Sequence, residues 1–179
     1  MKKGIVWLCA LAFMTLSAFT SSTLLSWKIK EDYSIKFEGI AVEGTLQGLE
    51  GTVVFDKDNL SASKFDVSVK TQTIDTGNKT QTKHAKNKKW FNVEQYPSIS
   101  FQSSNFQQTA EGYAVTGQLT IKDVTKEVTI PFTFQDAADG GIFEGSFKVN
   151  RKDYNIKGNG FGFVVSNEIS IDLRIPVNQ

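Results

Sequence analysis

The chain has 179 residues, with 20 basic and 19 acidic side chains, one histidine and one cysteine. Removal of the first twenty residues, which contain two lysines and that cysteine, would leave 18 basic against 19 acidic side chains. Such a chain has no disulfide or thiolate chemistry, and the near-neutral charge with only Arg151 and Arg174 as arginines argues against a nucleic-acid partner.

The N-terminus is predicted to be a cleaved signal peptide over residues 1–20. Lys2 and Lys3 precede an apolar run from Ile5 to Phe19, and the hydroxyl residues Thr20 to Thr23 follow it. The run is shorter than a comfortable membrane span. We therefore expect a periplasmic or secreted protein, with residues 21–179 forming one domain and without a stable membrane span after cleavage.

Most of the remaining chain alternates apolar and polar residues, which is typical of antiparallel strands with one wetted face. Examples are the run from Phe65 to Val69, the run from Tyr113 to Ile121 and the run from Ile169 to Val177. Glycines at 39, 44, 48 and 51 indicate turns, bulges or a sharply coiled strand. Pro131 requires an edge, a bulge or a strand end.

One stretch leaves this pattern. Residues 79–89 are polar and lysine-rich, the bulky pair Trp90–Phe91 follows, and Tyr96–Pro97 prevents helix from continuing. We predict one short helix between Thr76 and Phe91, inserted between strands. Trp90 and Phe91 are interpreted as a seal for the closed end of a barrel, and the alternative is that they contact the far end of a bound ligand.

Polar groups suited to catalysis are sparse. His84 is the only histidine, no pair of carboxylates is forced together, and the glycine-rich segment Gly158–Gly162 lacks the setting of a phosphate loop, so we interpret it as a rim loop. We predict no catalytic residue, no metal and no cofactor, and hence no enzyme. The weaker alternative to a protein without catalysis is a hydrolase or isomerase that acts on a lipid, and loss of turnover in His84→Ala would favour it.

Four segments together resemble the YceI-like family: TIDTGN, WFNVEQYPSISFQSS, GYAVTGQLTIKDVTKEVTIPFTF and FKVNRKDYNI. The resemblance extends from about Trp27 to Val177. It implies a lipocalin-like antiparallel β-barrel of about eight strands, exported by bacteria, that binds a polyisoprenoid or a similar long-chain lipid. The chain departs from the family's pattern at Tyr33–Ser34 and over Thr80–Ala85, so a shared polar head-group site does not carry over directly.

Inward-facing apolar residues are the candidates for contact with the lipid tail. The residues alone leave a hollow lumen and a solid core equally open, and the resemblance favours the hollow one, with Gly117 and Gly145 leaving space inside. His84 and Arg151 are the head-group candidates, although Arg151 also fits donation to backbone carbonyls at a strand end. The lumen candidates are Phe37, Phe55, Phe101, Val115, Leu119, Phe132, Phe147 and Ile171.

The expected function is to hold a long-chain isoprenoid, polyprenyl or quinone-like, or a fatty-acyl molecule, for transport, storage or stress protection. The alternative is a non-enzymatic interaction module with a solid core that binds partners through its rim loops. A homodimer is compatible with either function.

Overall fold

The computed structural model describes residues 26–158 and 165–179, whose nine strand segments form one antiparallel sheet that closes into a barrel. Neighbours around the barrel follow chain order, and β3 pairs with β4 to close it. The predicted all-β barrel is confirmed. The strands are β1 (Ser26–Ile29), β2 (Ser34–Gly39), β3 (Val42–Val54), β4 (Lys64–Asp75), β5 (Ser98–Thr109), β6 (Gly112–Ile121), β7 (Val124–Ala137), β8 (Gly140–Asn150) and β9 (Glu168–Asn178).

The first two segments occupy one position in the barrel, so its strand positions number eight, as predicted. Trp27 of β1 pairs with Val53 of β3, and Ile35 of β2 pairs with Leu46 of β3 and with Leu173 of β9. β1 also pairs with β9. The polar residues 30–33 interrupt what would otherwise be one long strand between β3 and β9.

The glycines of β3 mark its strongest irregularity, as the sequence indicates. The β3–β4 register shifts on both sides of Gln47, and Gly48 and Gly51 have φ angles of 73° and 132°. A Cβ atom at Gly51 would lie 2.2 Å from the backbone oxygen of Asp66. Glycine is therefore required where β3 coils most sharply against β4.

Pro131 lies at the end of one strand pairing, which fits its expected position. The β7–β8 ladder begins at Phe132 opposite Gly145, and Pro131 is the preceding residue of β7. Because β8 beyond Gly145 pairs only with β9, the missing proline N–H interrupts no ladder to β8.

The helix α1 (Lys79–Lys86) lies within the predicted range. The side chain of Asn78 caps its N-terminus by accepting hydrogen bonds from the N–H groups of Thr80 and Gln81. Thr82 accepts a 3.0 Å bond from the N–H of Thr76 and donates a 3.1 Å bond to Asp75 at the end of β4. These bonds hold the helix across one end of the barrel.

The two ends of the barrel carry different connecting segments. The helix end carries the β2–β3 turn, α1 with its return segment to residue 97, the β6–β7 turn, residues 151–158 and residues 165–167. Residues 151–158 begin with a short 3₁₀ helix (Arg151–Tyr154). The aromatic end carries residues 55–63, including a 3₁₀ turn (Leu60–Ala62), and the tight β5–β6 and β7–β8 turns. The predicted signal peptide and most of the predicted rim loop lie outside the described residues.

Candidate ligand-binding cavity

The barrel is hollow. An inner cavity of about 210 Å³ lies between the walls and has an almost wholly apolar lining. Its lining includes the deep aromatic rings of Phe65, Phe132 and Phe143 and, nearer the helix end, Ile121 and Val149. These side chains come from alternate positions of their strands, which is why the sequence alternation predicts their inward direction.

A second, outer cavity of about 350 Å³ lies beneath the helix end. Its walls are mainly apolar, and α1 contributes polar groups through Thr80, Gln81 and His84. Five side chains line both cavities, so the two lie next to each other along the barrel and together form the passage. The shared residues are Leu46, Ile99, Ile121, Val149 and Ile171.

The passage leads to a polar mouth beside the N-terminus of α1. A third cavity lies between the β2–β3 turn and the residues that begin the helix, and it shares Ala41, Val42, Thr76, Asn78 and Gln81 with the outer cavity. It is the most solvent-open of the three and has as much polar as apolar lining. The arrangement is a long apolar compartment with its polar groups at one end.

The opposite end of the passage is closed by packed aromatic rings. Phe55 is 1% exposed and its ring lies 5.1 to 6.4 Å from six other aromatic rings. Trp27 caps this group by donating its indole N–H to the carbonyl of Phe55 at 3.0 Å. Edge-to-face and tilted contacts of this kind are favourable for aromatic rings. The six neighbours are Phe65, Phe106, Tyr113, Phe132, Phe134 and Phe143.

The location of this closure differs from the sequence interpretation of Trp90 and Phe91. Both side chains line the outer cavity at the helix end, far along the passage from the Phe55 cluster. A bulky pair beside a helix resembles a plug in the sequence. The real plug is dispersed over six strands and the segment after β3, which sequence spacing cannot bring together.

Arg151 is 9% exposed and binds residues on both sides of the stretch that connects the 3₁₀ helix (Arg151–Tyr154) to β9. Its guanidinium donates to the carbonyls of Ile156 at 2.7 Å, Gly158 and Val165 at 3.3 Å, and Ser166 at 2.9 Å. These four bonds use most of its five N–H donors. Arg151 therefore makes the contacts with backbone carbonyls that the sequence suggested as the alternative to head-group binding.

Arg151 also carries a charge that no described carboxylate pairs. Its guanidinium lies 5.3 Å from the centroid of the Trp90 ring, and none of the ion pairs among residues 26–158 and 165–179 includes it. Burial lowers the pKa of this guanidinium, yet arginine stays protonated in proteins. A positive charge thus lies at the wall of the outer cavity.

Trp90 is held in place by close backbone approach. A Cβ atom at Gly158 would lie 2.2 Å from the Trp90 indole ring, so only glycine fits there. Phe91 donates its N–H to the carbonyl of Ala85, which fixes the chain as it leaves the helix. The pair therefore shapes the outer cavity.

His84 is half-buried on the cavity side of α1. Its Nδ1 lies 3.5 Å from the side-chain nitrogen of Asn87, and its ring lines the outer cavity together with Arg151 and Tyr154. The structure therefore brings the two head-group candidates to the same cavity. Contact of either residue with a ligand stays a prediction.

Seven of the eight predicted lumen residues line a cavity, and Phe55 does not. The rings around Phe55 separate it from the open space, so it forms the floor beneath the passage. The inner cavity is lined by Phe101, Val115, Leu119, Phe132, Phe147 and Ile171, and the outer one by Phe37 and Ile171.

The two glycines expected to leave space inside both lie close to a neighbouring strand. A Cβ atom at Gly117 would lie 2.4 Å from the backbone oxygen of Gln102, and one at Gly145 would lie 2.8 Å from that of Pro131. Gly117 lies opposite the register shift of β5 after Ser103, where the strands approach closely. Gly145 nevertheless lines the inner cavity, whereas Gly117 does not. The expectation was wrong for Gly117, because alternation gives the direction of a residue but not the gap it faces.

Sequence reasoning also missed part of the outer cavity. Tyr154, Ile156 and Val165 line it, and none belongs to a strand. Burial raises the pKa of the Tyr154 phenol, and the nearby Asp153 charge acts in the same direction. The two-residue spacing of Tyr154 and Ile156 after Arg151 is the sequence feature that could have indicated that they face the cavity.

The residues where the chain departs from the expected family pattern have other uses in this structure. The hydroxyl of Tyr33 accepts the N–H of Leu49 at 2.9 Å, which supports the irregular part of β3. Thr80 and Gln81 line the outer cavity as uncharged polar groups. The polar residues that line the outer cavity of this chain therefore differ from the expected family pattern.

Comparison with known proteins places the chain in one family. The YceI-like domain matches residues 20–177. The chain belongs to the YceI-like family. A UPF0312 protein of Photorhabdus laumondii is 35% identical over 120 residues, covering 64% of this chain and 62% of that protein, and Protein YceI of Salmonella arizonae is 34% identical over 119 residues, covering 63% and 62%. These matches thus span less than two thirds of each relative's length.

Solved YceI-like structures share the fold. BcnA of Burkholderia cenocepacia superposes with a TM-score of 0.76 at 25% identity, over 85% of this chain and all of that one. A polyisoprenoid-binding domain from Saccharophagus degradans superposes with a TM-score of 0.63 at 9% identity, over 87% and 99% of the two chains. The latter likeness concerns the fold alone. Within the described part of this YceI-like chain, no helix is long and apolar enough to cross a membrane, and no cluster of acidic, histidine or cysteine side chains could hold a metal ion.

Proposed function

We propose that this chain is an exported binding protein that holds a long-chain isoprenoid or fatty-acyl lipid in its lumen. The observation that carries the proposal is the row of three adjoining cavities from the aromatic floor to the polar mouth. Its shape matches an amphiphile with a long apolar tail and one polar head. Membership of the YceI-like family and a polyisoprenoid-binding structural neighbour support the same ligand class.

Burial of the tail is expected to dominate affinity. Each methylene removed from water contributes about 0.8 kcal/mol, so a twenty-carbon tail would gain about 16 kcal/mol. Lost motion and ordering cost about 4–15 kcal/mol. One hydrogen bond to a charged head group adds about 1.5–3 kcal/mol. The tail therefore determines whether a lipid binds, and His84 or Arg151 adjusts which head group is preferred.

The cavities also distinguish lipid binding from the two alternative functions, a solid interaction module and a lipid-modifying enzyme. A solid interaction module would need the space between Leu46, Ile99 and Ile171 to be filled, whereas these three side chains border both cavities. A lipid-modifying enzyme would need a nucleophile and a base arranged together, and the outer cavity instead presents threonines, amides, one histidine and an arginine that binds backbone carbonyls. Both features favour binding without catalysis. Export rests on the predicted signal peptide.

A block at the junction of the two cavities tests the proposal. Ile171→Trp would place a bulky ring where inner and outer cavities meet, and Ile171→Val is the matched control that keeps the passage open. Exclusion of four methylenes costs about 3 kcal/mol, so affinity for a C20 polyprenol is expected to fall about 100-fold or more. The measurement is titration of delipidated protein with polyprenols and fatty amides. Unchanged affinity in Ile171→Trp, with its melting temperature also unchanged, would contradict lumen binding.

A further inference from the structure

The segments that connect strands at the helix end are strongly basic, and those at the aromatic end are acidic. The segments 76–97, 122–123, 151–158 and 165–167 carry nine basic against three acidic residues. The segments 55–63, 110–111 and 138–139 carry one basic against four acidic residues. The nine are Lys79, Lys83, Lys86, Lys88, Lys89, Lys122, Arg151, Lys152 and Lys157. Adding the strand-end carboxylates Glu38, Glu43, Asp75 and Glu168 leaves the excess at the helix end positive.

The five lysines between residues 79 and 89 are available to a partner. Lys79, Lys83 and Lys86 follow the i, i+4, i+7 spacing that places them on one face of α1, while Gln81 and His84 line the cavity. None of the five lysines between 79 and 89 forms an ion pair with any residue that the structure describes, although lysines elsewhere on the barrel do. No ion pair within the described residues therefore neutralises the charge on this face.

The exposed apolar side chain of Ile40 lies at the same end. It is 75% exposed, the one large hydrophobic residue so exposed in the described ranges. It occupies the tip of the β2–β3 turn, where Ala41 has a φ of 59°, and its N–H is bound by the hydroxyl of Ser166 at 3.0 Å. The residues on either side of it, Gly39 and Ala41, border the mouth together with Asn78.

From these observations we infer that the helix end docks onto an anionic lipid bilayer. Basic side chains near such a surface are attracted by its negative potential, and an apolar side chain inserted at the interface adds to that attraction. Docking in this orientation turns the mouth towards the bilayer and the acidic aromatic end away from it. The inference of a docking surface depends only on charge and exposure. Its use for loading or delivering a lipid rests on the proposed function.

Two triple variants with the same change in net charge test the inference. Lys79→Gln/Lys83→Gln/Lys88→Gln removes charge from the docking surface, and Lys28→Gln/Lys36→Gln/Lys64→Gln removes it from exposed positions on the barrel wall. Flotation of the protein with vesicles of phosphatidylcholine, or of phosphatidylcholine mixed equally with phosphatidylglycerol, gives the bound fraction. At physiological salt, charges interact over only about 8 Å, so lysines away from the contact contribute little.

The wild type is expected to float with the anionic vesicles and not with the neutral ones. The helix-end triple variant should bind anionic vesicles on the order of tenfold or more weakly. The wall variant should stay within about twofold of the wild type. Ile40→Ser should also weaken binding, because it removes the apolar contact while leaving every charge in place.

Two results would overturn the inference: equal binding of the wild type to neutral and anionic vesicles, or equal losses in the two triple variants. Failure of docking is distinguishable from failure of the proposed function. A protein that does not dock but is recovered with a bound lipid refutes only the docking surface. A protein that docks but neither carries nor takes up a lipid refutes only the carrier function.

Discussion

The aromatic end and the helix end of this barrel differ in what holds them together. At the aromatic end, rings around the fully buried Phe55 pack on one another. At the helix end, hydrogen bonds accepted by Asn78 and donated by Thr82 and Arg151 hold the connecting segments around open space. The difference shows how one barrel can combine a stable floor with a cavity: apolar packing closes one end, and polar bonding supports the other without filling it.

The largest effect on stability is expected from the floor. Phe55→Ala should lower the free energy of unfolding by about 3–5 kcal/mol, because it opens a cavity at the centre of the aromatic cluster. The matched control Phe91→Ala removes the same atoms from a half-buried ring that already borders open space, so its loss should be clearly smaller. Denaturant titration of both variants measures the difference. Equal losses would mean that the two ends do not differ in packing as described.

Arg151 tests the bonding of the helix end. Arg151→Gln leaves several carbonyls of residues 156–166 without donors, and we expect a loss of about 2–3 kcal/mol. Arg174→Gln is the control, because that arginine is exposed and forms only a surface pair with Glu144 at 3.6 Å, where a change within about 1 kcal/mol is expected. Similar stabilities of the two variants, measured by thermal unfolding, would refute the structural role of Arg151.

Lipid binding by Arg151→Gln distinguishes a structural role of Arg151 from direct contact with the head group. If Arg151 acts only through the chain around it, Arg151→Gln should weaken binding of neutral and anionic lipids by the same factor. A loss confined to anionic lipids would instead indicate direct contact with the head group. Titration with a fatty acid and with the corresponding fatty amide gives this comparison at constant tail length.

The floor is also expected to limit the length of the tail. Phe143 lines the inner cavity and packs against Phe55 at 5.4 Å, whereas Phe134 packs against Phe55 at 5.2 Å without lining either cavity. Phe143→Ala should deepen the passage and shift the preferred chain length upward by several carbons, while Phe134→Ala should leave it unchanged. Affinities for a ladder of fatty acids or polyprenols measure the optimum. A shared optimum in both variants would show that the floor does not set tail length.

The smallest effect is expected at His84. It borders the outer cavity and supplies one polar contact at most, so His84→Gln should change lipid affinity by less than about tenfold, the equivalent of one hydrogen bond. Titration with lipids of different head group measures it. A loss comparable with that of Ile171→Trp would mean that the head group, rather than the tail, determines affinity.

The sequence predicts the walls of this protein better than its ends. Alternation places Leu119 and Ile171 inward because strand side chains repeat every two residues, and a polar run before Trp90 places the helix. The floor could not be predicted, because rings from Phe55, Phe106 and Phe143 meet only once the barrel closes. Gly117 was misinterpreted for a related reason: its space is taken by the neighbouring strand.

The central claim is that a lipid occupies the lumen, and native mass spectrometry tests it most directly. The protein should be purified from its exported compartment without detergent and the bound material extracted with organic solvent. We predict a protein mass that lacks the signal peptide and carries a discrete addition, which extracts as an isoprenoid or acyl chain. A bare protein mass, with no uptake when polyprenols or fatty amides are supplied, would contradict the account.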